Sequence, residues 1–218
     1  MAKSEPEKAV PRSAGRPRSE ETRRLILQST LDLLRLETLS SITVEAIARQ
    51  AGVSKATIYR WWNSKALIVV DAFVEHHIVR TPLRRDLCPR EAIAQHMRDL
   101  VEQYSGFGGQ LVGQIIAEGR SDETIAREFR SRFHYGRRAV VREVLEEWRL
   151  TGDIAPQTNT EMLMDLLYGP IYMRLMLGHA PLDERFVEDL QVYVFELLDA
   201  AKACAIDPAP DASQSGGG

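Results

Sequence analysis

Residues 43–65 read TVEAIARQAGVSKATIYRWWNSK, and their reading decides the fold. Two short helical patterns are separated by Gly52, where a chain can turn through a left-handed backbone without steric cost. Thr43 and Ser54 each stand just ahead of a pattern, where a side-chain oxygen caps a helix N-terminus. Ala46, Ile47, Ala48, Val53 and Ile58 are small or compact, as two closely crossing helices require. Two such helices meeting at a glycine turn form a helix-turn-helix. The second helix, Ser54 to about Trp61, then turns Lys55, Ala56, Thr57, Tyr59 and Arg60 outward. Charge, a hydroxyl, a methyl and a ring suit the phosphates and base edges of a DNA major groove. Of the two following tryptophans, Trp62 is expected in the core and Trp61 on the DNA side.

On the N-terminal side, Ser19 is placed to cap a first helix, with Glu20 and Glu21 at its positive end. Ile26, Leu33 and Leu34 share a face of that helix, which is expected to run to about Glu37. Asn63-Ser64 breaks and recaps the chain, and a fourth helix is expected from Lys65 to about Val79. Residues 1–18, with Pro6, Pro11, Gly15 and Pro17, lack apolar periodicity and read as a mobile basic arm. Residues 207–218, DPAPDASQSGGG, read as a disordered tail. Charge is divided unevenly: residues 1–65 carry twelve Lys/Arg against seven Asp/Glu, and residues 66–218 carry sixteen against twenty-four. A basic front on an acidic rear points to a nucleic-acid module joined to something else. Within the arm, Arg16 and Arg18 flank Pro17, and an extended Arg-Pro-Arg segment can lie in a narrow minor groove.

Beyond Pro89 the helical patterns lengthen. One is expected from Arg90 to Tyr104, ended by Gly106, Gly108 and Gly109, and a shorter one from Leu111 to Glu118. A long helix opens at Ser121, with Ile125, Phe129, Phe133, Val140, Val144 and Trp148 on one side. Another runs from Thr160 to about Gly178, interrupted at Gly169-Pro170, where proline removes a hydrogen bond. Asp183 caps the last, whose apolar face is Val187, Leu190, Val194, Leu197 and Leu198. Alternating β-branched runs are absent, so the expected fold is all-α: a three-helix helix-turn-helix domain over residues 19–65 and a larger helical domain over 66–206.

Composition excludes several classes. Two cysteines, Cys88 and Cys204, make neither a disulfide framework nor a four-cysteine zinc site. His76 and His77 are adjacent and face different ways, so no metal site and no cofactor are expected. No run of 18 apolar residues would span a membrane, and residues 1–21 lack the apolar stretch of a secretory signal, so a cytoplasmic location is expected. No GxSxG, HExxH, P-loop or dinucleotide-binding pattern occurs, and no enzymatic activity is expected.

The segment from about Gly15 to Phe73 resembles the DNA-binding domain of the TetR family of bacterial transcriptional regulators, a homeodomain-like three-helix unit. The residues that carry the resemblance are Ile26, Thr43, Ile47, Ala48, Ala51-Gly52-Val53-Ser54, Ile58-Tyr59, Trp62, Ser64-Lys65 and Leu67. The rest is similar in being helical and of suitable length, and residues 169–190, GPIYMRLMLGHAPLDERFVEDL, look like the terminal helix pair of one branch. The resemblance implies that Thr43 and Ser54 touch phosphates, that Thr57, Tyr59 and Trp61 face DNA, and that Lys65 meets the backbone. Many members carry glycine where this chain has Thr38; either Thr38 avoids the left-handed region or its turn is strained.

The family further implies a homodimer on a palindromic operator, acting as a repressor. Its dimer surface would lie on the last two helices, at Leu163, Leu167, Ile171, Phe186, Leu190, Val194 and Leu197, where Leu166 adds to more apolar residues than one buried stripe needs. A small-molecule effector of unknown identity would bind in the rear domain. The candidate lining is Met97, Tyr104, Phe107, Phe133, Trp148, Met164, Tyr168, Tyr172 and Met176; Arg120 and Arg174 would either meet an anionic ligand or pair with carboxylates. The alternative, a helical enzyme or interaction module, leaves the basic arm and the Ser54–Lys65 segment without a purpose.

Overall fold

The computed structural model describes residues 16–78 and 80–206, and every regular element among them is helical. The order is α1 (Arg16–Leu34), α2 (Val44–Gln50), α3 (Lys55–Tyr59), α4 (Lys65–Ile78), α5 (Pro89–Tyr104), α6 (Phe107–Glu118), α7 (Glu123–Phe129), a π-helical turn (Arg130–His134), α8 (Tyr135–Leu150), α9 (Thr160–Leu177) and α10 (Glu184–Ile206). The backbone of Arg16 and Arg18 is therefore the first turn of α1 rather than an extended arm. Pro17 is tolerated there because an N–H in the first turn has no helical partner to lose. The side chains of Arg16 and Arg18 lie outside the described residues, as do the tail expected at 207–218 and the Cys204 side chain. None of the described helices is long and apolar enough to cross a membrane.

The α2–α3 unit forms as its local chemistry dictates. Thr43 Oγ1 accepts from Ala46 N at 3.1 Å, and Ser54 Oγ accepts from Thr57 N at 3.1 Å. Between them the backbone of Gly52 is left-handed, with φ +65°. Val53 N donates to Ala48 O at 3.0 Å and Gly52 N to Arg49 O at 3.3 Å. That pair of bonds closes α2 as a Schellman motif and satisfies two carbonyls that would otherwise lack partners. Thr38 is not left-handed, so replacing the usual glycine costs no backbone strain.

One apolar core runs from Ile26 in α1 to Leu198 in α10. Helix α4 joins both halves: Ala66 is buried in the front unit beside Trp62 of the preceding turn, while Phe73 and His77 pack among Tyr104, Phe129 and Phe133. Three rear segments differ from expectation. Helix α6 starts at Phe107, so Gly108 and Gly109 belong to it. They permit close approach rather than ending a helix: a Cβ on Gly109 would lie 1.9 Å from the Tyr104 carbonyl oxygen.

The helix expected to run unbroken from Ser121 begins instead at the cap Asp122, which accepts from Thr124 N at 2.8 Å, and contains the π turn. Val144 and Trp148 are buried as expected, together with Val141 and Leu145, while Val140 is exposed. The Pro170 expected to interrupt α9 sits inside a continuous helix that Gly178 ends at φ +61°. Asp183 caps α10, accepting from Phe186 N at 2.9 Å.

Candidate nucleic-acid interface and effector cavity

Helix α3 stands at the surface. Ser54, Lys55, Ala56, Tyr59 and Arg60 are exposed and Thr57 is half-buried. Tyr59 is 52% and Trp61 37% exposed, while Trp62 is 3% exposed. The two tryptophans therefore divide as the pattern requires. Arg60 makes no ion pair among the described residues, whereas Lys55 Nζ lies 2.8 Å from Glu45 Oε1. That contact lowers the Glu45 carboxyl and raises the Lys55 ammonium.

Lys65 departs from the role the resemblance gives it. Its half-buried ammonium donates to the carbonyls of Leu39 at 2.8 Å and Ile42 at 3.1 Å. It braces the loop leading into α2, since carbonyls beyond a helix end need donors. Beneath α3, Trp62 Nε1 donates to Asp71 Oδ2 at 2.8 Å, and Arg132 of the π turn donates to Asp71 Oδ1 at 2.8 Å. Arg23 of α1 approaches Asp71 at 3.7 Å and pairs with Glu75. One carboxylate on α4 thus holds the end of the reading unit and the rear domain together. No sequence pattern marked it.

In the rear domain, a cavity of about 220 Å³ lies between α4, α5, the π turn, α8 and α9. Of the expected lining, Tyr104, Phe133, Tyr168 and Tyr172 are present. Met97, Trp148 and Met164 are buried in the core away from it, because their helices turn those positions to other neighbours. Phe107 borders a separate hollow with Arg35 and His76, and Met176 is exposed. Arg174 donates to the Pro181 carbonyl at 2.6 Å and covers the Phe186 ring; neither it nor Arg120 lines this cavity.

The expectation missed the polar wall: His77, His96, His134, Arg137, Arg138 and Asp165. A signal for Arg137 existed. It follows Phe129 and Phe133 at four-residue steps, a charge on an apolar stripe. Its Nη2 donates to the Thr81 carbonyl and to His96 Nδ1, the latter at 2.9 Å, and its Nε has no acceptor. Burial lowers its pKa. His96 Nε2 lies 2.9 Å from the Tyr168 hydroxyl, and both nitrogens of buried His77 lack partners. Burial, then the charge of Arg137, pushes His77 and His96 each down to about 3.

These two histidines set an acid limit. An unfolded histidine takes up its proton near pH ~6.5, whereas these stay neutral in the fold down to about 3. Between those values the unfolded chain binds more protons, so stability falls as pH drops, by up to ~1.4 kcal/mol per pH unit for each. Denaturant melts from pH 6.5 to 5 should show this slope, and His77→Phe should reduce it. An identical slope in that variant would contradict neutral burial.

The six other residues expected at the dimer surface do not share the position of Leu197, which is exposed. Leu163, Leu167, Ile171, Phe186, Leu190 and Val194 are buried within the chain, facing α5, α6 and α8 or each other's helix. The exposed apolar side chains of these helices are Met162, Leu166, Met173, Met176 and Leu177 on α9 and Val192, Tyr193 and Leu197 on α10.

A capped helix-turn-helix carried on an all-helical body defines a DNA-binding regulator. Comparison with known proteins makes this specific. Residues 26–72 match the model of bacterial regulatory proteins of the tetR family, and residues 86–193 match that of the tetracyclin repressor-like C-terminal domain. An uncharacterized HTH-type transcriptional regulator of Bacillus subtilis, YdeS, is 34% identical over 87% of this chain and 96% of its own. The crystal structure of the TetR family regulator SCO0332 superposes with a TM-score of 0.70 at 28% identity, over 81% of this chain and 97% of that one. The Bacillus subtilis regulator FadR, in complex with stearoyl-CoA, shares the fold at a TM-score of 0.62 and 18% identity, over 82% and 98%. The chain belongs to the TetR family of transcriptional regulators, which bind DNA and are not enzymes.

Proposed function

We propose that this regulator is a homodimeric repressor that holds a palindromic operator through α3 and releases it when a small molecule fills the rear cavity. The observation that carries the reading is α3 itself, capped at Ser54 and exposed at Lys55, Ala56, Tyr59, Arg60 and Trp61. In this reading Thr43, Ser54 and Thr57 meet phosphates, and Tyr59, Arg60 and Trp61 reach base edges. Lys65 acts by bracing rather than by contact.

Dimerisation is supported by the exposed methionines and leucines of α9 beside Tyr193 and Leu197 of α10, an apolar area that a lone chain gains nothing by showing to water. Effector control is supported by the cavity's place against the C-terminal half of α4, whose N-terminal end follows α3 after five residues. A ligand favouring one placement of α4 would shift the population of DNA-competent dimers.

Analytical ultracentrifugation and a mobility shift on DNA upstream of the chain's own gene test this. The wild type should sediment as a dimer and shift the DNA. Met173→Glu with Tyr193→Glu should give a folded monomer whose DNA affinity falls about 100-fold or more, because two-site avidity is lost. A wild-type monomer that binds this DNA equally well would refute the dimeric reading.

A further inference from the structure

The cavity presents donors without acceptors. The direction of its hydrogen bonds can be read because arginine only donates. Arg137 Nη2 donates to His96 Nδ1, so His96 carries its proton on Nε2 and donates to the Tyr168 oxygen. The Tyr168 O–H is then left to donate elsewhere. Tyr104 and Tyr172 face each other at 3.4 Å between hydroxyls, and only one of those two hydrogens is used in that contact. His77, neutral in the fold, leaves one N–H and one acceptor nitrogen without partners.

Charge tells the same way. Arg138 is matched by Asp165 at 2.6 Å and Glu161 at 2.8 Å, which also occupies the wall's one carboxylate, Asp165. Arg137 has no carboxylate in contact, its Nη1 meets no protein acceptor among the described residues, and its Nε is unpaired. The carboxylate whose charge favours Arg137, Asp99, makes no ion pair with it, and a half-buried cation without a direct counter-ion is costly unless something else supplies one. The space is small: about 220 Å³, below the ~300–1,000 Å³ of pockets for drug-sized molecules. Its remaining walls are Leu100, Gly169 and the rings of Phe133 and the three tyrosines, which favour stacked or edge-on aromatic partners.

We infer that this cavity binds a single-ring aromatic carboxylate, its carboxylate on Arg137 and the Tyr168 hydroxyl and its ring against Phe133. The inference deepens the effector-release reading above.

Isothermal titration of the full chain with benzoate, benzamide, benzylamine and decanoate at neutral pH tests it. Benzoate should bind at least tenfold more tightly than its neutral isostere benzamide, and benzylamine and decanoate should bind more weakly still. Arg137→Met should bring benzoate down to the benzamide level with the circular dichroism unchanged, and Tyr168→Phe should weaken benzoate several-fold. Equal binding of benzoate and benzamide, tighter binding of decanoate, or no binding of benzoate by the wild type would overturn the inference, whatever the variants do. A mobility shift on the upstream DNA, with and without benzoate, separates the two readings. DNA binding without benzoate binding sinks this inference alone; selective benzoate binding that never releases DNA sinks effector release alone.

Discussion

Replacing Tyr59 and Arg60 together by alanine should weaken binding to the upstream DNA by about 30- to 1,000-fold, the ~2–4 kcal/mol expected for two side chains at base edges or phosphates. Thermal stability should stay within about ±0.5 kcal/mol, because both side chains are exposed and Arg60 has no ion pair to lose. The separation of the two readouts is what matters. A surface residue that only solvates α3 would move neither, and a core residue would move both. Lys55→Ala should have a smaller effect, since its ammonium is already shared with Glu45. Lys65→Ala should lower stability along with affinity, because the carbonyls of Leu39 and Ile42 lose their donor. Polarisation titrations at two salt concentrations beside melting curves check all three. An unchanged affinity in the Tyr59/Arg60 double variant would remove α3 as the reading element.

Asp71→Ala should have the largest effect on the joint between the domains. Its carboxylate accepts from the buried Trp62 indole and from Arg132, and Arg23 stands nearby. Removing it leaves an indole N–H without an acceptor and two arginines short of charge. Hydrogen bonds involving a charged group are worth about 1.5–3 kcal/mol each, but both arginines keep other carboxylates, Glu75 and Glu128. A net loss of about 2–4 kcal/mol follows, or roughly 5–12 °C in melting temperature for a chain of this size. Trp62→Phe, which removes only the indole N–H and part of the ring, should cost less. Its effect should be non-additive with Asp71→Ala, because the two share one bond. Additive costs would place Trp62 and Asp71 in separate roles.

The front of the molecule was legible because its determinants are local. Gly52, Thr43 and Ser54 act on their own neighbours within a few residues, so the turn and both caps could be placed from sequence. Trp61 and Trp62 were told apart with the help of the family resemblance, which puts Trp61 toward DNA. Lys65 was not, since its partners, the carbonyls of Leu39 and Ile42, are set by how the α1–α2 loop folds back over α4.

The rear was legible as helices and much less as faces. Helix α9 is apolar on almost every side, so periodicity marks no single stripe. The dimer-surface expectation therefore mixes the inward Leu163, Leu167 and Ile171 with the outward Leu166 and leaves out the exposed Met162 and Met173. On α8 the buried valine is Val141 rather than Val140, four residues past Arg137, and nothing in residues 130–134 announces the π turn. In the cavity the aromatic half was read and the polar half was not. A histidine or arginine on a helix is ordinarily taken for a solvated group, and only its place on an apolar stripe says otherwise. Arg137, four residues after Phe133, and His77, four after Phe73, share that signature.

The most direct test of the account is a hydroxyl-radical footprint of the protein on the DNA upstream of its own gene. Two α3 helices related by a two-fold axis should protect two inverted half-sites on one face of the duplex, their centres about one helical turn or a multiple of it apart. The protection should vanish in the Tyr59/Arg60 double alanine variant. Protection spread evenly without half-sites, or a pattern that survives the loss of both side chains, would contradict the claim that α3 reads DNA.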